Sequence, residues 1–234
     1  MDRIYGRKPV LDTLDSDVEI YRAYILRQNS KIIDKLIKKL RAKNIEIDFV
    51  DKSFFDKIDM NHQGVALDVE SFKYKDLADI DTYKRLIILD QIEDPHNLGA
   101  IVRSAEAFGF DGVIIPERRS AEVSPIVYKT SAGAINNINI IRVKNISRTI
   151  EEIQKEGFWV YGLAGEGSQE IDKTDLKGKI ALVVGNEGKG ISRLVREKCD
   201  ILINIPMKGF VNSFNASVAS AIAMYEVLRQ NGFD

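Results

Sequence analysis

The sequence predicts an α/β protein in which a small α/β domain precedes a larger domain built on a parallel sheet. From about residue 85 onward, short apolar strands alternate with helical patterns, which is typical of a mostly parallel sheet covered on both faces. Residues 1–70 hold a shorter alternation, and a polar segment at 74–83 separates the two parts. The chain has 234 residues, of which 44% are hydrophobic, so it is long enough to build both cores. The expected bounds are therefore 1–70, a linker at 71–84, and 85–234.

The first domain is expected to alternate helices with strands. Its helices are predicted at 6–14, 31–42 and 53–58, and its strands at 18–26, 45–50 and 65–69. Within 31–42 the apolar residues recur every three and four positions, which places them on one buried face. Ser30 is of the residue type preferred at the N-cap of such a helix.

The second domain is expected to contain six buried strands and five helices. The strands are predicted at 86–89, 113–115, 138–143, 159–163, 180–184 and 201–205, and the helices at 98–108, 124–130, 147–156, 191–197 and 215–230. Ligands of parallel sheets bind at the carboxyl ends of strands. The candidate site loops are therefore those after Leu89, Leu163, Val184 and Ile205.

Composition excludes several classes of protein. No stretch approaches the ~20 uncharged apolar residues that span a bilayer, and the first residues have no apolar signal core. One Cys and two His leave no internal disulfide and no structural Cys/His zinc site. We therefore expect a cytoplasmic protein with no metal and no membrane partner.

A basic cluster lies in the first domain although the net charge of the chain is only -1. Between Arg22 and Lys43, eight Lys and Arg residues face one acidic residue, Asp34, for a local net charge of +7. Such a patch suits a polyanion such as RNA. A solvated helix face without a ligand is the alternative.

Three loops carry candidate chemistry. In the first, Asn97 is expected to cap a helix that contains Arg103, which is either a surface residue or a contact for an anion or hydroxyl group. The second, 185–190, fails the phosphate-loop motif because Gly190 follows Lys189 where Ser or Thr is required. Its glycines either admit a ligand close to the backbone or only shape a turn. The third, 205–215, opens a helix rich in small residues, which is expected to pack within the core or across a dimer.

These loops, taken in order, resemble the three motifs of the SpoU/TrmH RNA ribose methyltransferases. The matching segments are 94–105, 184–188, 205–207 and 213–219. The opening Ile4-Tyr5-Gly6-Arg7 and the turn 61–65 resemble the substrate-binding domain of the ribosomal-RNA branch, whose fold is similar to that of ribosomal protein L30e. Phe214 stands where this family usually has Leu, and Ala216 where Val is common.

The resemblance implies a trefoil-knotted C-terminal domain, a homodimer, and S-adenosyl-L-methionine as cofactor. The implied product is an RNA 2′-O-methylribose, and the implied substrate is a guanosine of large-subunit (23S) ribosomal RNA. Arg103 is expected to stabilise negative charge on the ribose oxygen, because an Arg is always protonated and cannot serve as a base. The other implied catalytic residues are Asn97, Glu187, Ser213 and Asn215. The implied cofactor-binding residues are Ala164, Gly165, Gly185, Asn186, Gly188, Ile205, Met207 and Phe214.

RNA is expected to bind through phosphate contacts of the basic patch. The candidate residues are Arg7, Lys31, Lys35, Lys38, Lys39 and Arg41. Three alternatives stay open: transfer RNA as the substrate, a non-catalytic RNA-binding protein that kept the fold, and a nucleotide-dependent oxidoreductase. The segment from Gly165 argues against the oxidoreductase, because Glu170 stands where the dinucleotide-binding fingerprint requires its third Gly.

Overall fold

The computed structural model describes residues 1–27, 31–56, 58, 62–186, 188–210 and 213–232, without the side chain of Lys31. The predicted N-cap Ser30 and the predicted catalytic residue Glu187 lie outside the described residues. The chain divides into two units. The first unit comprises residues 1–73 and 123–129, and the second comprises residues 74–122 and the chain from residue 130 onward.

The first unit is a four-stranded sheet with helices. Its elements are β1 (Asp2–Tyr5), α1 (Arg7–Leu14), β2 (Ile20–Leu26), α2 (Lys31–Ala42), β3 (Glu46–Val50), α3 (Lys52–Phe55) and β4 (Val65–Val69). The strand order is β1-β4-β2-β3, in which only the β2–β3 pair is parallel. The sequence prediction missed β1, which has four residues and lies at the edge of the sheet.

Helices α1 and α2 supply much of the core of the first unit. The buried side chains of this core include Val10, Leu14, Ile33, Leu36 and Leu40 from the helices and Ala23, Ile25, Val65, Leu67 and Val69 from the strands. The helix predicted at 31–42 is present with these bounds, and its buried positions follow the predicted spacing of three and four.

A buried carboxylate joins three strands of the first unit. Asp68 on β4 is 3% exposed. It accepts a hydrogen bond of 2.8 Å from Arg3 Nη2 on β1 and one of 2.9 Å from the Tyr24 hydroxyl on β2. The hydrogen bond from Arg3 is the main cause that lowers the pKa of Asp68. The Arg3 guanidinium also lies 4.5 Å from the centre of the Tyr24 ring, so cation–π attraction adds to the ion pair.

The second unit contains a seven-stranded sheet. The elements from residue 85 onward are β5 (Arg85–Asp90), α4 (Pro95–Ala107), β6 (Gly112–Pro116), α5 (Pro125–Ser131), β7 (Asn139–Val143), α6 (Ile146–Lys155), β8 (Trp159–Leu163), β9 (Gln169–Glu170), β10 (Ile180–Gly185), α7 (Arg193–Arg196), β11 (Ile201–Asn204) and α8 (Ala216–Asn231). Helix α5 begins in the segment that groups with the first unit. The strand order is β7-β6-β5-β10-β8-β11-β9, and every neighbouring pair is parallel. The predicted parallel sheet is confirmed, and the two-residue strand β9 is an addition to it.

Helix α4 begins earlier than the sequence pattern indicated. Its N-cap is Asp94, whose carboxylate accepts a hydrogen bond of 2.9 Å from the backbone N–H of His96. Pro95 occupies the first helical turn, where its fixed φ and missing N–H are tolerated. The prediction that Asn97 caps this helix was wrong, since Asn97 lies inside the first turn, where its side chain contacts Asn215.

The sheet order gathers the candidate loops. Strands β5, β10, β8 and β11 are consecutive neighbours in the sheet. Their carboxyl ends are Asp90, Gly185, Leu163 and Asn204. The loops that follow them therefore share one edge of the sheet, although they are far apart in the sequence. Within the part of the chain that the structure describes, no helix is both long and apolar enough to cross a bilayer.

Candidate active site

A cavity of about 400 Å³ lies at this edge of the second unit. All eight residues predicted to bind a cofactor line it, namely Ala164, Gly165, Gly185, Asn186, Gly188, Ile205, Met207 and Phe214. Ser213, one of the predicted catalytic residues, lines it as well. The loops after β8, β10 and β11 and the start of α8 each contribute to the wall.

Apolar side chains and backbone groups form most of the cavity wall. The aliphatic side chains are Leu163, Val184, Ile191, Ile203, Ile205 and Met207. Glycines at 165, 185, 188 and 190 leave the backbone accessible where they line the cavity. Such a wall suits a flat, largely apolar ring that also needs hydrogen bonds from backbone groups.

Asn186 holds the turn between β10 and α7 in place. Its side-chain Nδ2 donates to the carbonyl oxygen of Gln91 at 3.1 Å, which ties this turn to the loop after β5. Its Oδ1 accepts from the backbone N–H of Gly188 at 3.0 Å. The carbonyl oxygen of Asn186 accepts from the N–H of Gly190 at 2.8 Å, which closes the turn. The Asn186 side chain is thus occupied by backbone partners.

Gly185 is required by the close approach of the same turn. A Cβ at this position would lie 2.1 Å from the backbone carbonyl carbon of Gly190 and 2.2 Å from the backbone nitrogen of Ile191. At Gly188 the nearest atom to an added Cβ is Asn186 Oδ1 at 3.6 Å, an ordinary contact. The two glycines therefore have different roles. Gly185 allows the chain to fold back on itself, and Gly188 keeps an open position on the cavity wall.

Two predicted catalytic residues meet where helices α4 and α8 begin. Asn215 Nδ2 donates to Asn97 Oδ1 at 3.1 Å. Asn215 is also the N-cap of α8, where its Oδ1 accepts from the backbone N–H of Ser217 at 2.9 Å. One side chain thus fixes the start of α8 and the orientation of the nearly buried Asn97. Helix α8, whose small residues were expected to pack closely, contacts α4 within the chain.

Arg103 is placed differently from the other predicted catalytic residues. It is exposed on α4 and does not line the cavity. It forms no ion pair with another residue in the described part of the chain. Its predicted partner Glu187 lies outside the described residues, so that pairing stays a prediction. The guanidinium of Arg103 is available to an external anion.

The predicted RNA-binding residues lie on the first unit. Lys35, Lys38, Lys39 and Arg41 are exposed on α2. Lys39 is paired with Asp15 at 3.0 Å, and the Arg7 side chain donates from Nε to the carbonyl oxygen of Gln63 at 3.3 Å. Lys35, Lys38 and Arg41 make no ion pair within the described residues, so they are the members of this patch best able to bind phosphates.

Sequence reasoning missed three charged residues on the cavity wall, namely Glu166, Lys189 and Arg196. Glu166 lies in the loop after β8, and Arg196 lies on α7. Their side chains form an ion pair, and the hydrogen bond from Arg196 lowers the pKa of Glu166. Glu166 directly follows the predicted Gly165, which was an available signal. Nothing in the helical pattern at 191–197 marked Arg196.

Cys199 has no part in this site. It is largely buried at the edge of the sheet core, and burial is the main cause that raises the pKa of its thiol to about 12. The thiol donates to the carbonyl oxygen of Val195 at 3.4 Å. It is a packing residue with a thiol that stays protonated at neutral pH.

The fold and the site define a parallel-sheet α/β protein with a ligand cavity at the carboxyl ends of its strands, and comparison with known families identifies the class. Residues 84–225 match the SpoU rRNA Methylase family, and residues 3–75 match the RNA 2′-O ribose methyltransferase substrate-binding domain. The chain belongs to the SpoU family of RNA methyltransferases.

Bacterial relatives agree with this assignment. YacO of Bacillus subtilis (strain 168), whose name places it in the TrmH family of tRNA/rRNA methyltransferases, is 40% identical over 240 residues, which cover 98% of this chain and 96% of YacO. A Synechocystis protein named as an uncharacterized tRNA/rRNA methyltransferase is 41% identical over 246 residues, and the match covers all of this chain but only 64% of that protein.

Solved structures share the fold. The SpoU methyltransferase AviRb from Streptomyces viridochromogenes, solved with S-adenosylmethionine, matches with a TM-score of 0.65 at 23% identity, over 97% of this chain and 89% of AviRb. An rRNA methyltransferase from Sinorhizobium meliloti matches with a TM-score of 0.65 at 26% identity, over 97% of this chain and 86% of that one.

Proposed function

We propose that this protein transfers a methyl group from S-adenosyl-L-methionine to a ribose 2′-hydroxyl of RNA in the cytoplasm. The observation that carries the proposal is the cavity at the ends of β8, β10 and β11, beside the bonded pair Asn97 and Asn215. The cofactor fits this cavity, because a volume of about 400 Å³ is within the range of small-molecule sites. The aliphatic wall suits an adenine ring, and the accessible backbone suits its nitrogen atoms.

When bound, S-adenosylmethionine supplies a methyl group already activated on a sulfonium sulfur. The remaining task of the protein is to orient the ribose oxygen and to help it lose its proton. Asn97 is held in one orientation by Asn215, so its amide is a positioning group for the ribose or for Arg103. The exposed Arg103 stabilises the negative charge that develops on the oxygen. An RNA phosphate accepts the hydroxyl proton.

RNA is bound in this proposal by two parts of the chain. The domain at 1–70 attracts the phosphate backbone through Lys35, Lys38 and Arg41 on α2, with Arg7, Lys31 and Lys39 nearby in the sequence or on the same helix. The domain at 85–234, after the linker at 71–84, carries the reaction. Attraction of this kind weakens as salt concentration rises.

The proposed substrate is ribosomal RNA, and within it a guanosine of the large-subunit (23S) RNA. The family that matches residues 84–225 is described as rRNA methylases, which supports this choice. The relatives are named for both tRNA and rRNA, so transfer RNA is the rival substrate. The proposal includes a homodimer, supported by the exposed Val218 and Tyr225 on α8. It also includes the trefoil knot that the family resemblance implies.

Transfer of labelled methyl groups tests this proposal. Purified protein is incubated with labelled S-adenosylmethionine and unmodified ribosomal or transfer RNA, with Arg103→Ala, Arg103→Lys and Arg148→Ala in parallel. Label is expected in ribosomal RNA, and Arg103→Ala is expected to reduce the rate by about 10²-fold or more. Arg148, exposed on α6 and paired with Glu152, is the control and should keep its activity.

The outcomes separate the alternatives. Label only in transfer RNA would show that transfer RNA, and not ribosomal RNA, is the substrate. Near-full activity of Arg103→Lys would refute the role of the planar guanidinium. RNA binding without cofactor binding would favour the non-catalytic RNA-binding protein.

A further inference from the structure

A charged pair lies on the mainly apolar and backbone-lined wall of the cavity. Glu166 and Arg196 come from two different elements, the loop after β8 and helix α7, and both line the cavity. Arg196 Nη1 donates to Glu166 Oε1. Among the other described residues of the wall, only Lys189 carries a charge. The pair thus places a fixed cation and a fixed anion side by side within reach of a bound ligand.

Stability alone does not account for this pair. The Arg196 and Glu166 side chains are 35% and 66% exposed. Ion pairs at such exposure contribute little to the free energy of folding. Like any accessible Glu, Glu166 is ionised at neutral pH and can bind a cation, and the hydrogen bond from Arg196 lowers its pKa further. A charged, accessible pair on a cavity wall is better suited to a ligand than to the fold.

We infer that Glu166 and Arg196 bind the amino-acid end of the cofactor, with Arg196 on its carboxylate and Glu166 on its ammonium group. This inference rests on the proposed function. The adenine and ribose of the cofactor are uncharged, and in this inference they contact the aliphatic and glycine-lined parts of the wall. The amino-acid end carries one negative and one positive charge next to each other. That arrangement is complementary to the neighbouring guanidinium and carboxylate.

The exchange of partners leaves no charge unpaired. In the free protein, Glu166 and Arg196 satisfy each other. When the amino-acid end binds, each side chain gains a ligand group of opposite charge, so neither is left desolvated without a partner. A planar guanidinium can bind a carboxylate through two parallel hydrogen bonds, which an ammonium group cannot do. Arg196 is therefore the residue expected to select ligands that carry the carboxylate.

Calorimetric binding with three ligands tests the inference without relying on activity. The ligands are S-adenosylmethionine, S-adenosylhomocysteine and 5′-methylthioadenosine, the last of which keeps the adenosine but lacks the amino-acid end. The variants are Arg196→Gln, Arg196→Lys and Glu166→Gln. The control is Arg193→Gln, on the same helix, whose side chain is 82% exposed, pairs with Glu197 and does not line this cavity. Thermal unfolding of each variant checks the fold.

The expected result is selective loss of affinity. Arg196→Gln should weaken binding of S-adenosylhomocysteine by about tenfold or more, because a charge-assisted hydrogen bond is lost. Its affinity for 5′-methylthioadenosine should stay within about twofold of the wild-type value, since that ligand has no group for Arg196 to bind. The affinity of Arg196→Lys for S-adenosylhomocysteine should lie between that of the wild type and that of Arg196→Gln. Glu166→Gln should show the same selectivity with a smaller loss, and Arg193→Gln should match the wild type with every ligand.

Two results would overturn the inference, and a third would overturn the proposed function instead. Equal loss of S-adenosylhomocysteine and 5′-methylthioadenosine in Arg196→Gln would show that the pair acts on the adenosine or on the fold. Equal affinity of the wild type for those two ligands would show that the amino-acid end makes no contact, even if the variants do not fold. If the wild type binds none of the three ligands, the proposed methyl transfer itself is refuted.

Discussion

Replacing Gly185 by Ala should destabilise the second unit, because the added methyl group meets backbone and not a flexible side chain. The new Cβ would lie 2.1 Å from the carbonyl carbon of Gly190 and 2.2 Å from the nitrogen of Ile191. Nonbonded carbon atoms prefer separations of about 3.5–4.0 Å, so the turn would have to move by about 1.4 Å. That displacement breaks the hydrogen bond of 2.8 Å from Gly190 to Asn186.

The expected cost follows from these two effects. Overpacking a well-packed site costs about 1–3 kcal/mol, and losing an ordinary hydrogen bond, here between the exposed Gly190 and the half-buried Asn186, costs about 0.5–1.5 kcal/mol. Together they destabilise the protein by about 3 kcal/mol. For a chain of this size about 2–4 °C is lost per kcal/mol, so the thermal midpoint should fall by roughly 10 °C.

Differential scanning calorimetry of the full chain measures this change, with Gly188→Ala as the matched control. An added Cβ at Gly188 has its nearest neighbour at 3.6 Å, so the midpoint should stay within about 2 °C of the wild-type value. If Gly185→Ala melts as late as Gly188→Ala, the close approach of the turn does not exist in solution and the reasoning is wrong.

Three further predictions concern other parts of the chain. Asp68→Asn should lower the free energy of unfolding by about 2 kcal/mol, less than for a fully buried pair because Arg3 is partly exposed. Since the pKa of Asp68 is lowered in the folded protein, its contribution is complete above the ordinary carboxyl pKa and is lost as pH falls through the lowered value. Denaturant titrations at several acidic pH values should therefore show a smaller loss of stability with falling pH in Asp68→Asn than in the wild type, and equal losses would refute this. The Cys199 thiol, whose pKa is raised to about 12, should react with iodoacetamide at pH 8 at least about 100-fold more slowly than in denaturant, where its pKa is ordinary; comparable rates would show that it is not buried. Asn215→Ala should cost about 2 kcal/mol, from the lost helix cap and the lost bond to Asn97. Asn215→Asp keeps the capping oxygen and loses only the donor to Asn97, so it should cost about half as much in the same denaturant titration.

The fold was predictable wherever one local pattern dominated. The helix at 31–42 could be placed because its apolar residues follow one period and its exposed face is charged. The buried strands of the second unit could be placed because parallel strands covered on both faces are short apolar runs. The edge strand at 2–5 and the two-residue strand at 169–170 carry too few residues for such a pattern.

The start of α4 shows a different limit. Asn97 and Asp94 are both suitable caps by residue type, and the sequence pattern favoured Asn97. The structure assigns the cap to Asp94 because Pro95 fits the first turn. Asn97 is thereby left to bond with Asn215, a partner 118 residues away that no local pattern indicates.

The candidate site was predictable as a set of loops but not as an arrangement. The carboxyl ends of the predicted strands indicated which loops carry ligand groups. The order β5-β10-β8-β11, which brings these loops to one edge, depends on long-range pairing. Arg196 was missed for the same reason. Its helical position says only that it is exposed, and its place on the cavity wall beside Glu166 follows from tertiary packing.

The most direct test of the account is the position of the transferred methyl group. Ribosomal RNA labelled by the wild-type protein would be hydrolysed with alkali, which cleaves next to every free 2′-hydroxyl, and the products would be analysed by nucleoside mass spectrometry. Methylation of a ribose 2′-hydroxyl should give an alkali-resistant dinucleotide whose methyl group is on the ribose. Label released on a mononucleotide with a methylated base would contradict it, because the site would then act on a base and not on the ribose oxygen.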